Sequence, residues 1–102
     1  MRKRDELLAD LHQRIAANAR YYRLRKEISQ REAAAGLFVS DTTLRDIEHA
    51  RSASISTLVL ARLAVFYGLE SIDELLVRRE LITLRRGQLA AKNYFNSEGE
   101  LR

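Results

Sequence analysis

Cysteine, proline and tryptophan are absent from this chain of 102 residues, and glycine occurs only four times. Without cysteine there is no disulfide framework, no thiolate metal site and no cysteine nucleophile, and His12 and His49 alone are too few for a zinc cluster. Without proline, and with so little glycine, the turns of a β-sandwich have little to build on. Alanine, leucine, arginine and glutamate dominate instead, a balance that favours helices. The expected class is all-α. No apolar run approaches the roughly 18 residues needed to span a bilayer, and Met1-Arg2-Lys3-Arg4 leads into acids rather than into a hydrophobic signal core. A soluble cytoplasmic protein without a membrane partner is the expectation. The length suits a single core. The formal net charge of +4 suits an anionic partner, although charge alone does not single out nucleic acid.

Helical periodicity opens the chain. Over residues 5–26, Leu7, Leu8, Leu11, Ile15, Ala19 and Tyr22 recur at steps of three and four, which predicts one helix or a short helix feeding a longer one. Ser29 and Glu32 have the spacing of a capping box, so a second helix starts there, and Gly36 weakens it after two turns. Ser40 is the next N-cap. It opens a third helix in which Leu44 and Ile47 face inward and Asp41, Thr42, Arg45, Asp46 and His49 stay outside. Residues 50–54 carry no period and read as a loop. Ser54 or Ser56 caps a fourth helix, apolar almost all round and therefore expected at the centre of the core, with Gly68 at its C-terminal end. Ser71 and Glu74 form another capping box, which predicts a fifth helix. Beyond Leu76 the apolar residues Val77, Leu81, Leu84, Ala91 and Phe95 suit a helix, while the run at 80–83 also fits a short strand.

Two short helices joined by a tight turn, the second polar on its outer face, have the geometry that enters the major groove of DNA. At this point Ile28-Ser29-Gln30-Arg31-Glu32-Ala33-Ala34, followed by Val39 and Ser40-Asp41-Thr42-Thr43-Leu44-Arg45-Asp46-Ile47-Glu48, resembles the Cro/repressor (Xre-type) helix-turn-helix family. The resemblance implies a five-helix domain and sequence-specific binding of double-stranded DNA. Gln30 matches the family's phosphate-touching glutamine, Ala34 its small residue between the two helices, and Val39 its buried turn residue. Arg23 and Glu48 match a structural ion pair that ties the first helix to the third. Carried over in the same way, Asp41, Thr42, Arg45 and Asp46 are candidate base readers, and Ser40, Thr43, Arg51 and Ser52 candidate phosphate contacts. Arg45 can grip guanine O6 and N7 bidentately. Asp41 can accept from cytosine N4, or merely favour the helix start and repel phosphate. The chain departs from the pattern at Phe38 and Ala50, where the family commonly has glycine.

The expected layout is a helical extension over residues 1–14, a DNA-binding domain over 15–76 and a C-terminal extension over 77–102 for dimerisation or partner binding. One short helix reads too little sequence alone, so a homodimer on a palindromic operator is expected. Its expected interface comprises Ile72, Leu75, Val77, Leu81, Leu84 and Phe95. The reading is a transcription regulator acting as a repressor, inserting residues 40–49 into the major groove. The alternative is an antitoxin or adaptor whose extensions bind a partner protein. No catalysis, cofactor or metal is expected, because the serines mostly occupy capping positions and no phosphate-binding glycine loop or histidine-acid relay stands near one.

Overall fold

The computed structural model describes residues 2–79. They form four α-helices in the order α1 (Arg2–Lys26), α2 (Gln30–Leu37), α3 (Asp41–Glu48) and α4 (Thr57–Phe66), followed by a 3-10 helix, Ile72–Leu75. No strand occurs among the described residues. The all-α class is as expected, but the fifth helix is a single 3-10 turn rather than an α-helix.

α1 runs for 25 residues without a break, about 37 Å, and joins the N-terminal extension to the domain as one rod. Ile15, Ala16, Ala17, Asn18 and Ala19 are all buried, and Tyr21 is buried two residues on. The apolar stripe continues towards the N-terminus, yet Leu7, Leu8 and Leu11 are exposed there. α3 and the 3-10 helix both pack on α1, α2 lies against α3 and α4, and α4 touches the 3-10 helix.

The core joins Ile15 and Ala19 of α1 to Ala33, Ala34, Leu37, Leu44, Ile47, Leu63 and Leu75. α4 is less central than its composition suggests. Only Leu63 and Ala64 are buried in it, while Leu58 is 57% and Val65 80% exposed. Apolarity all round a helix reflects burial only when neighbours stand on every side, and here the alanine-rich half of α1 takes the central place.

Capping sets the helix starts. Ser29, Ser40 and Ser56 each accept from the backbone N–H three residues on, at Glu32, Thr43 and Val59. Of the two candidates for α4, Ser56 is the cap. All four α-helices end alike. The N–H groups of Ile28, Val39, Arg51 and Leu69 reach back five residues to carbonyls of Arg23, Ala34, Asp46 and Ala64. Glu27, Phe38, Ala50 and Gly68, just before those donors, have φ of 58°, 60°, 55° and 70°. These are Schellman endings, which put one residue in the left-handed region and so favour glycine. Only Gly68 meets that preference.

Gly36 serves packing instead. A Cβ there would overlap the Phe66 ring, 2.8 Å from Cζ, so the missing side chain lets α2 lie against α4.

The capping box of Ser71 and Glu74 forms, but helix stops after Leu75. Asn18 Nδ2 donates to the carbonyls of Leu75 (2.9 Å) and Val77 (2.8 Å), and Arg14 NH1 to that of Leu76 (3.3 Å). A continuing helix would need those carbonyls for its own N–H groups. Arg79 then lays its guanidinium over the Tyr21 ring, 3.9 Å from its centroid, and donates to Asn18 Oδ1.

Candidate nucleic-acid interface

The local sequence of α3 divides it into an inner and an outer face. Leu44, Ile47 and Glu48 are buried, while Asp41, Thr42, Thr43 and Arg45 are exposed. At its N-terminal end Ser40 Oγ accepts from Thr43 N–H at 3.0 Å and donates to Thr43 Oγ1 at 2.9 Å. Ser40 and Thr43 therefore present a linked pair of hydroxyls at the positive end of the helix dipole, a disposition suited to a phosphate.

Behind this face, Glu48 holds the helix to the rest of the domain. Arg23 donates through Nε to Glu48 Oε2 at 2.8 Å and through NH2 to Oε1 at 3.1 Å. Its remaining nitrogen, NH1, donates to the carbonyl of Ile28 at 3.1 Å, and Gln30 Nε2 donates to Glu48 Oε1 at 2.9 Å. The Glu48 side chain is fully buried and that of Arg23 15% exposed. A carboxylate so removed from water needs such donors, because burying an unpaired charge costs several kcal/mol. One network thus joins α1, the loop before α2, the first residue of α2 and the last residue of α3. The Tyr67 hydroxyl is buried close enough to feel the Glu48 charge. Burial first, and that charge second, push its pKa above the ordinary value.

Among the sequence candidates, Gln30 is partly buried and engaged with Glu48, and Arg45 pairs with no carboxylate among the described residues. Asp46 faces Arg51 at 3.7 Å in a partly exposed ion pair, so these two are partners of each other. Ser52 is partly exposed beside them. His49, at the end of α3, places Nδ1 2.8 Å from the Arg45 carbonyl. Phe38, in the turn before α3, is left-handed and 80% exposed, with Arg62 5.9 Å from its ring centroid.

The residues grouped as a dimer interface separate. Leu75 is fully buried in the domain's own core and has no surface to offer a partner. Ile72 is partly exposed and Val77 48% exposed. Leu81, Leu84 and Phe95 lie outside the described residues. Asn18 escaped the sequence reading although it fastens the domain's C-terminal end to α1. Its one sequence signal is a lone amide inside an alanine-rich run.

Among the described residues no group of histidine, cysteine or acidic side chains is placed to hold a metal ion, and no helix is long and apolar enough to cross a membrane. No curated protein and no solved structure gives a significant match to the chain. A family model described as helix-turn-helix matches residues 20–75, from the second half of α1 through the 3-10 helix. With that match spanning more than half of its length, the chain belongs to the Cro/C1-type helix-turn-helix family of DNA-binding transcription regulators.

Proposed function

We propose that the chain binds a palindromic operator as a homodimer, each copy inserting residues 40–49 into the major groove, and represses transcription by occluding a promoter. The observation that carries this reading is the construction of α3. Its inner face is buried and its last residue, Glu48, is clamped from α1 and α2, while Asp41, Thr42 and Arg45 remain exposed on the outer face.

In this reading Arg45 reads guanine, Thr42 meets a base edge or a thymine methyl, and Asp41 and Asp46 face the groove. Gln30, Ser40, Thr43, Arg51 and Ser52 hold phosphates, which fix register without carrying sequence information. Arg51 exchanges Asp46 for phosphate on docking, and that exchange leaves Asp46 free to accept from a base.

Two copies place their α3 helices about 34 Å apart, or a multiple of that, along one face of the duplex. Exposed apolar side chains supply the surface for pairing. Ile72 and Val77 stay in the proposed interface with Leu81, Leu84 and Phe95, and Leu75 leaves it. Leu7 and Leu11 join it, because they share a helical stripe with Arg14 and Asn18, the residues that touch Leu75–Val77. The same leucines favour a second reading, in which the extensions seat a different protein, as in an antitoxin or adaptor.

Selection of binding sites from random duplexes tests the proposal. Enrichment of a palindrome with half-sites about one helical turn apart supports it. Enrichment of a single half-site removes the dimer, and no enrichment removes sequence-specific binding.

A further inference from the structure

Between the C-terminal end of α1 and the turn leaving α4 lies a half-open cavity of about 560 Å³. Small-molecule sites span about 300–1,000 Å³. Tyr22 and Tyr67 form its aromatic wall, with ring centroids 6.1 Å apart and planes inclined by 27°. Leu69 adds apolar surface. Gly68 leaves the backbone open, since a Cβ there would meet nothing within 4 Å.

Positive charge stands at the same opening. Lys26 lines the cavity and pairs with no carboxylate among the described residues; its Nζ lies 5.3 Å from the Phe66 ring centroid. Arg25 also lines it while hydrogen-bonded to Tyr21. Glu74, the one acid on the lining among the described residues, turns Oε2 to the N–H groups of Glu70 (2.8 Å) and Ser71 (3.2 Å). Its charge is thereby committed to backbone donors rather than to Lys26.

We infer that this cavity is a binding site for small aromatic carboxylates, with the ring against Tyr22 and Tyr67 and the carboxylate on Lys26. Flat π-surfaces pack well on tyrosine, and an ammonium-carboxylate contact is a charge-assisted hydrogen bond. A neutral aromatic satisfies only the wall, and an aliphatic anion only the lysine. No residue of α3 lines the cavity, so the site is separate from the DNA-facing surface. It is nonetheless next to the clamp on α3, because Tyr22 adjoins Arg23 in α1 and the Tyr67 hydroxyl is buried near Glu48.

The test is a nitrogen-15 NMR titration of the full chain, free of DNA, with benzoate to about 10 mM and benzamide as the neutral counterpart. Because DNA is absent, failure of the operator reading leaves the result untouched. The expected result is saturable movement of the Lys26, Gly68 and Leu69 amide signals by benzoate, with at least about tenfold weaker affinity for Lys26→Glu. Lys26 is exposed, and an unchanged amide spectrum elsewhere shows that the variant is folded. Absence of saturable movement, equal affinity for benzamide, or unchanged benzoate affinity in Lys26→Glu overturns the inference.

Discussion

Arg23 and Glu48 meet as a two-point pair, Nε to Oε2 at 2.8 Å and NH2 to Oε1 at 3.1 Å, around a carboxylate with no exposed surface. The pair fixes the end of α3 that faces away from Ser40, so the angle of the outer face depends on a contact made at its far end. Removing one partner leaves the other charge buried, which costs about 3–5 kcal/mol. Arg23→Ala and Glu48→Ala are therefore each expected to lower unfolding free energy by an amount of that order, measured by urea denaturation. Glu48→Gln keeps hydrogen-bonding capacity and should lose less. Losses below about 1 kcal/mol for both alanine variants would show that the network is not a clamp.

Tyr67 gives the fold a sensitivity to alkali. Burial raises its pKa, with the Glu48 charge adding to the effect, and burial raises that of Tyr21 as well. The folded state thus holds these protons more tightly than the unfolded chain, whose tyrosines titrate near about 10. Stability is intact below about pH 10 and falls as pH rises through and beyond that value. Tyr67→Phe should flatten this loss without abolishing it, as measured by urea midpoints between about pH 8 and 11. At neutral pH the variant should be at least as stable as the parent, because the buried hydroxyl has no hydrogen-bond partner among the described residues.

Phe38 and Gly36 carry opposite backbone demands. Phe38 is left-handed and largely exposed, so Phe38→Gly should relieve about 1 kcal/mol of strain while giving up little buried surface. Gly36→Ala should cost about 1–3 kcal/mol, because its methyl group overlaps the Phe66 ring. Thermal melts of the two variants should move in opposite directions. Movement of both in the same direction would contradict this account of the α2–α3 turn.

Much of this was legible in the sequence where the signal is local. Ser29 with Glu32, Ser40 before its polar helix, and Ser71 with Glu74 are short-range patterns, and each opens a helix as read. Failures arose where a distant group decides. The fifth helix ends after one turn because Asn18 and Arg14, far back in α1, take the carbonyls it needs. Gly36 read as a helix weakener, and only the position of Phe66 shows its use in packing. Leu75 has the apolarity of an interface residue and of a core residue alike, and burial alone separates the two. Asp46 and Arg51 each suit DNA on residue type, but their distance of 3.7 Å shows that they also suit each other.

That exposed pair leads to a prediction about salt. Among the described residues the Arg51 side chain is held by one long contact to Asp46, and a phosphate can replace it. Arg51→Ala should weaken binding to every duplex and reduce the slope of log affinity against log salt by about one unit. Fluorescence anisotropy over a salt series reads the slope directly, and an unchanged slope would remove Arg51 from the phosphate contacts.

The central claim is that the outer face of α3 reads bases, and Arg45 is its most direct probe. Parent and Arg45→Ala should be compared by fluorescence anisotropy on the selected operator and on a random duplex of equal length at one salt concentration. The account predicts a loss of about 1–3 kcal/mol on the operator with nearly unchanged affinity for the random duplex. Equal losses on both duplexes, or no loss on the operator, would contradict it.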